Sequence, residues 1–367
     1  MTKAIRVGIL GCRGIPNHYG GFGQLAEYLS VRLVRMGMKV SVYNVHNHPF
    51  QEKIWNGVDI IHCYDAEPKI GTAGQFIYDL NCILDSRKRN FDIILQLGYT
   101  SSTIWFWLMP SKAKIATNMD GLEWKRTKYS WPVQQFLKVA EWLGIVSSDL
   151  LIADSVAIQT HIKKRFSKPS EFIAYGATNF NNSNKEFLPK YGVKPYAYNM
   201  LVARMESENH VEHIIQGHLN FPETPLLVVG NTEKNKFGRK LKEKYGAYPN
   251  IVFTQGIYNI EALNNLRFFS NLYFHGHSVG GTNPSLLEAM ASQSLICAHN
   301  NPFNKAVLGE NAFYFSSIND IEELLAKGIV KNEYTQWIET NCRHIEEQYA
   351  WDKIASQYAQ VIKWLIE

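Results

Sequence analysis

The run His275-Gly276-His277-Ser278-Val279-Gly280-Gly281-Thr282-Asn283-Pro284-Ser285-Leu286-Leu287-Glu288 holds the residue types needed to grip a phosphorylated ligand. It follows the strand-like segment Leu272-Tyr273-Phe274, turns through two glycines and enters an Ala-rich helical pattern at Pro284. A helix N-terminus presents N–H groups without intrahelical partners and the positive end of a dipole, which suits phosphate. Glu288, about one turn further in, cannot serve phosphate but can accept two hydrogen bonds from a ribose diol. A diphosphate at Gly280, Gly281, Thr282 and Asn283 with a ribose on Glu288 is how a nucleotide-sugar would be held. An ordinary strand-to-helix turn with a surface glutamate is the plain alternative.

Other groups lie at expected strand ends, where a loop has water on one side and ligand on the other. Asn118-Met119-Asp120-Gly121-Leu122-Glu123-Trp124-Lys125-Arg126 offers two acids, a glycine and two bases. Asp120 is the first candidate to act on an acceptor hydroxyl or a donor sugar, and Glu123 the second; an N-capping aspartate among solvated charges is the alternative. Asp154, just before Ser155, reads first as a helix N-cap and second as a catalytic acid. Tyr175 could reach a sugar through its hydroxyl or be a half-buried core residue. His275 and His277 would share a strand face, but no third ligand at useful spacing accompanies them, so no metal site is expected.

Ile5-Arg6-Val7-Gly8-Ile9-Leu10-Gly11-Cys12-Arg13-Gly14-Ile15-Pro16 first suggests a dinucleotide fingerprint. The spacing is G-x-x-G-x-x-G, a proline stands where the helix should begin, and the second strand ends at Asn44 without the acid that would bind ribose. A nicotinamide-dependent oxidoreductase is a poor fit. The glycine loop instead continues to Gly20-Gly21-Phe22 before a helix begins. With Arg13, Gly20, Gly21 and Phe22 it suits a loop folding over a sugar or a diphosphate.

Strand-length apolar runs alternate with helix-period stretches along most of the 367 residues, the pattern of parallel α/β architecture. The strands expected first are Ile5–Leu10, Lys39–Asn44, Val58–His62, Ile93–Leu97, Lys114–Thr117, Leu150–Ala153 and Phe172–Ala174, with helices near Gly23–Met36, Ala73–Arg89 and Trp131–Val146. The polar stretch Thr178–Glu186 reads as a linker, after which the pattern restarts. The expected domains are residues 1–180 and 187–345, followed by a helix within 346–367; the resemblance given below implies that the first takes the acceptor, that the second takes the donor and that the helix returns to the first. Paired α/β halves place ligand at the carboxyl ends of their strands. Five scattered cysteines without a CxxC pair argue against a disulfide framework or structural zinc and suit a reducing, cytoplasmic compartment. A strand begins almost at once, so no leader peptide is expected, and no run approaches the ~20 apolar residues of a membrane span. Residues 1–183 hold 21 Lys+Arg against 14 Asp+Glu, or +7; the remainder holds 17 against 19, or −2. A basic first half suggests an acidic partner. The mixture of bases and aromatics from Trp124 to Leu143 suits peripheral contact with an anionic membrane surface as well as a packed helix with a solvated turn. No nucleic-acid recognition signature is present.

On these residues the chain resembles the GT-B nucleotide-sugar glycosyltransferases of glycosyltransferase family four. Its N-terminal half is similar to the variant domain of bacterial polysaccharide rhamnosyltransferases. The motifs are Gly11–Pro16 with Tyr19-Gly20-Gly21-Phe22, Asn118–Arg126, Tyr175-Gly176-Ala177, Ala203-Arg204-Met205-Glu206 with Glu208-Asn209-His210, and residues 275–290. The resemblance implies two Rossmann-like domains facing across a cleft, with the C-terminal helix crossing back. It implies metal-independent, retaining transfer of a sugar, by resemblance L-rhamnose from dTDP-L-rhamnose, onto a lipid-linked saccharide at the cytoplasmic membrane face. Family members carry two glutamates eight apart at the donor site; Glu288 matches the second, while Gly280 stands at the first, where Ser278, Thr282 or Asn283 could substitute. They also carry an Arg and a Lys five apart; Arg204 matches the first and Asn209 the second, so Lys234, Lys236 and Arg239 are candidate replacement cations. The rival readings are a UDP- or GDP-sugar transferase, a same-fold epimerase and a non-catalytic nucleotide-sugar-binding subunit.

Overall fold

The computed structural model describes residues 4–18, 20–126 and 128–367; Tyr19 of the glycine motif, Thr127 of the basic stretch and the first three residues lie outside them. The chain forms two α/β units. The first comprises residues 1–125, 129–175 and 351–367, and the second comprises 126–128 and 176–350.

In the first unit the strands are β1 (Arg6–Leu10), β2 (Lys39–Val45), β3 (Ile54–Trp55), β4 (Val58–Cys63), β5 (Ile93–Leu97), β6 (Lys114–Asn118), β7 (Leu150–Ala153) and β8 (Glu171–Phe172). Their order is β3-β4-β2-β1-β5-β6-β7-β8, parallel except for the short β3–β4 hairpin. The chain leaves β1 toward β2 on one side and later returns to β5 on the other, so the strand order reverses between β1 and β5. β5 is buried at all five positions, as befits a strand covered by helices on both faces. The helices include α1 (Gly21–Arg35), α3 (Gly74–Ser86), after a single-turn α2 (Glu67–Ile70), α4 (Trp131–Ser147) and α5 (Val156–Phe166).

The second unit is a six-stranded parallel sheet. Its strands are β9 (Asn199–Val202), β10 (Leu226–Val229), β11 (Ile251–Thr254), β12 (Leu272–His275), β13 (Ile296–His299) and β14 (Phe313–Phe315), in the order β11-β10-β9-β12-β13-β14. The reversal here falls between β9 and β12. Leu201, Val228, Phe274, Cys297 and Phe315 form its core with Ile214, Ile215 and Leu241 from α6 (Val211–His218) and α7 (Lys236–Tyr245). Burial of each such side chain is worth ~1.5–3 kcal/mol. α8 (Ile260–Phe269), α9 (Pro284–Ala291), α10 (Pro302–Leu308), α11 (Ile318–Ala326) and α12 (Thr335–His344) complete the unit.

The final helix, α13 (Trp351–Ile366), belongs to the first unit. Trp351, Ile354, Ala355, Tyr358, Ala359 and Ile362 recur at helical spacing and are buried. The Trp351 ring stacks on Tyr28 of α1 at 4.7 Å, and Asn118 at the end of β6 donates to the Tyr358 hydroxyl at 3.1 Å. The units divide after Tyr175 and after Ala350, some residues from the boundaries read off composition. The polar stretch 178–186 is fastened within the second unit, where Phe180 N–H donates to Ala291 O at 2.8 Å and Gln293 donates to Phe180 O at 3.0 Å.

Candidate functional site

Ligands of open α/β sheets sit outside the carboxyl ends of strands where the strand order reverses. In the second unit the loops after β9 and β12 meet at that place and are laced together. Ser278 donates to Glu208 O from both its N–H (3.1 Å) and its hydroxyl (2.8 Å), and His210 Nδ1 donates to Gly276 O at 2.8 Å. The approach is close enough that a Cβ on Gly276 would stand 2.1 Å from Asn209 O, so only glycine fits. Gly280 adopts φ 141° with open space around it, so a side chain at this position would have room but a strained backbone.

Asn283 caps α9, accepting from Ser285 N–H at 2.9 Å, and Pro284 follows at the first helical position. Thr282 is buried beside them. Glu288 lies further along α9, and its Oε2 accepts from the fully buried guanidinium of Arg267 at 2.6 Å. Arg267 also donates to Asn264 Oδ1 and lies 3.4 Å from the Ser285 hydroxyl, which the Tyr273 hydroxyl meets at 2.8 Å. Glu288 is thus fixed from behind by a buried cation, while its side chain keeps 19% exposure. Arg267 is absent from the sequence candidates. Its only signal is an arginine in α8 flanked in sequence by Leu266 and Phe268, where a buried guanidinium demands an acid.

Arg204, just past β9, is largely exposed, with its nearest carboxylate Glu206 at 3.8 Å. Asn209 is buried and donates its amide to Arg204 O at 2.8 Å, so it braces the loop instead of projecting from it. Glu206 also takes Lys128 at 3.2 Å and Arg126 at 3.7 Å, two cations that sequence spacing could not attach to it. Lys234 and Lys236 are exposed, and Arg239 donates to Glu233 O at 2.6 Å on the outer face of α7. His275 and His277 stack at 4.4 Å. Burial, then Arg204, Arg126 and the His210 ring, brings the His277 imidazole down to about 3, so at ordinary pH it is a neutral hydrogen-bonding group. Among the described residues no three His, Cys, Asp or Glu side chains gather as a metal site.

In the first unit the strand-end candidates do converge. Tyr175 is buried, and its phenol is pushed well above the usual range by burial and then by Asp120, Asp154, Tyr358 and Glu123, so it stays protonated as a hydrogen-bond donor. Asp120 stands in a left-handed backbone conformation, φ 50°, with its N–H on Asn118 Oδ1 at 3.0 Å. Such an outlier at a strand end marks a position worth testing for function. Glu123 and Asp154 are both buried. The cap of α5 is Ser155, which accepts from Ile158 N–H at 3.3 Å, and Asp154 is therefore not that helix's N-cap. Phe22 in the first turn of α1 lies 6.4 Å from the Tyr175 ring, with Gly21 opening the helix and Gly20 before it. Arg13 turns the other way, paired with Asp65 and Glu67 and set over the Tyr78 ring, so its charge is already met inside the unit.

Residues 4–178 match the model of a domain of unknown function (DUF1972). No curated protein matches the chain. Solved structures do. Sucrose-phosphate synthase from Thermosynechococcus elongatus is 14% identical, with 98% of this chain and 99% of that one covered at a TM-score of 0.77. HepE from Anabaena, in complex with UDP and glucose, is 14% identical over 98% and 100% of the two chains at 0.72. Trehalose 6-phosphate synthase from Burkholderia multivorans is 10% identical over 99% and 97% at 0.73. The fold is GT-B.

Proposed function

We propose that the protein is a retaining glycosyltransferase that draws its sugar from a nucleoside-diphosphate donor. The observation that carries this reading is Glu288, held at 2.6 Å by the buried Arg267 on a helix whose N-terminus adjoins the strand-order reversal of the second sheet. A carboxylate fixed from behind is preorganised to accept a ribose diol. Arg204 and the N–H groups around Gly281 and Thr282 meet the diphosphate, whose negative charge grows as the glycosidic bond breaks; fixed donors there lower the barrier without reorganising. In the first unit Asp120 orients or deprotonates the acceptor hydroxyl, with Glu123 and Asp154 beside it, and Tyr175 donates a hydrogen bond to the saccharide.

Within this reading the donor is dTDP-L-rhamnose, on the strength of the motifs in residues 11–22 and 118–126, and the acceptor is a lipid-linked saccharide of a cell-surface polysaccharide. No helix among the described residues is long and apolar enough to cross a membrane. α4 nevertheless exposes Trp131, Val139, Trp142 and Val146, and Trp107 is exposed at 60%. With Lys125 and Lys138 nearby in sequence, these residues suit a cytoplasmic enzyme resting on anionic lipid, where its acceptor would be anchored. A UDP-linked donor is the second reading, favoured by the UDP and UDP-glucose held by HepE.

Calorimetry of the full chain with dTDP-rhamnose, UDP-glucose and GDP-mannose tests both. Binding of dTDP-rhamnose alone supports the first reading, and binding of UDP-glucose alone supports the second. If none binds to the wild type while a Glu288→Ala variant behaves identically, the transferase assignment falls.

A further inference from the structure

Three cations of the first unit meet on one indole. Lys125 Nζ lies 5.5 Å, Lys138 Nζ 5.2 Å and the Arg165 guanidinium carbon 5.4 Å from the centre of the Trp124 ring. Lys125 comes from the loop after β6, Lys138 from α4 and Arg165 from the last turn of α5. Lys125 and Arg165 are exposed and Lys138 is half-buried, so the cluster opens to solvent.

An aromatic face attracts an exposed cation only modestly, and three like charges around one ring repel each other. Among the described residues, the one ion pair that any of the three makes joins Arg165 to Glu141 at 3.2 Å, and that acid also meets His161 at 2.9 Å. Glu141 and Glu123, the acids beside the cluster, are buried, and after burial itself they help push the interior Tyr99 phenol above its usual range. The outward side is therefore cationic. A phosphate has the charge and the acceptor oxygens to bridge two ammonium groups and a guanidinium.

The neighbouring surface decides what carries that phosphate. Trp142 stands one turn along α4 from Lys138 and is exposed at 51%; Val139 and Val146 share its stripe, exposed at 52% and 49%. A cationic cluster bordered by an apolar stripe fits an amphiphile better than a free ion. Resting on the lipid-linked acceptor read above, we infer that Lys125, Lys138 and Arg165 bind the diphosphate head of that lipid, with its chain along Val139, Trp142 and Val146. Trp124 follows Asp120 by four residues, so one loop carries both the ring that gathers these cations and the acid assigned to the acceptor hydroxyl.

The test is calorimetric titration of the full-length protein with farnesyl diphosphate, farnesol and inorganic pyrophosphate. Farnesyl diphosphate should bind about tenfold or more tighter than pyrophosphate, and farnesol should give no measurable heat. Lys125→Gln with Lys138→Gln should weaken farnesyl diphosphate about tenfold or more, while Lys125→Arg with Lys138→Arg keeps most of the affinity. Trp142→Ser should weaken farnesyl diphosphate and leave pyrophosphate unchanged. Circular dichroism melts establish that each variant is folded; if the glutamine pair is not, the exposed Lys125→Gln alone carries the test. A wild type that does not bind farnesyl diphosphate overturns the inference, as do wild-type affinity in the glutamine pair and equal affinity for farnesyl diphosphate and pyrophosphate. A glutamine pair that loses sedimentation with phosphatidylglycerol vesicles but keeps farnesyl diphosphate makes the cluster a general lipid contact, and the head-group site falls. Titration with dTDP and UDP reports on the transferase reading separately. Nucleotide affinity should be unchanged in every variant, and a wild type that binds farnesyl diphosphate but no nucleotide leaves this site standing while that reading falls.

Discussion

The candidate clusters of the two units are charged oppositely. In the first unit, Asp120, Glu123 and Asp154 crowd a protonated Tyr175, and the nearby Arg13 is already matched by Asp65 and Glu67. In the second, Arg126, Lys128 and Arg204 share Glu206, beside histidines kept neutral by burial. The contrast runs against bulk charge: residues 1–183 are net basic and the remainder is net acidic. Parallel strands decide where a site lies, and the side chains at their ends decide what it binds. The acidic end suits hydroxyl groups that must be oriented or deprotonated, and the basic end suits phosphate.

The sharpest way to break this contrast is at Glu288. Glu288→Ala leaves the fully buried Arg267 without its acid and should destabilise the protein by ~3–5 kcal/mol in urea unfolding. Glu288→Gln still accepts from Arg267, so it should fold well and lose only nucleotide affinity. If both variants unfold like the wild type, Arg267 does not depend on Glu288. Asp120→Asn probes the other end: transfer should drop by about 100-fold or more, or ~2.7 kcal/mol, with nucleoside-diphosphate affinity unchanged. Undiminished turnover would remove the acids of the first unit from the reaction.

Asp79 sharpens the comparison through pH. Burial, against a hydrogen bond from Ser101 and the charge of Arg13, pushes this carboxyl from 3.8 up to about 6. The folded state therefore keeps a proton that the unfolded chain releases, and stability falls as pH rises from about 4 to 6 and stays lowered above that. Asp79→Asn should recover ~1–3 kcal/mol at pH 8 and almost nothing at pH 4, measured by urea unfolding at both values. Equal effects at the two values would mean that Asp79 is ionised throughout. The smallest effect on the fold belongs to Trp131→Ser with Trp142→Ser. Stability should change by less than ~0.5 kcal/mol, while sedimentation with anionic vesicles drops severalfold; undiminished sedimentation would exclude this face from membrane contact.

Most of the sheet framework was legible because buried parallel strands are continuous apolar runs. Ile93–Leu97 and Leu150–Ala153 match the expected bounds in full. The two-residue β3 and the seven-residue α10 are too short to show a period and were not foreseen. Among the candidate site residues, Asp120 and Tyr175 stand out because each follows a strand, and Glu288 because it lies in the helix that follows the glycine turn. The partners of Arg13, Glu206 and Glu288 could not, since pairing across 52, 78 and 21 positions is set by tertiary packing. Lys234, Lys236 and Arg239, the cations that sequence spacing offers to the second unit, are all exposed.

The course of α13 bears on biosynthesis. The groove on the first unit that receives Trp351, Ile354, Tyr358 and Ile362 is made from segments translated early, yet its filling comes after the whole second unit. A ribosome must therefore carry a nascent first unit with an open apolar seam through some 175 further codons (residues 176–350). During that interval the seam is a natural target for chaperones, and stalling or premature termination in the second unit would release a chain prone to aggregate.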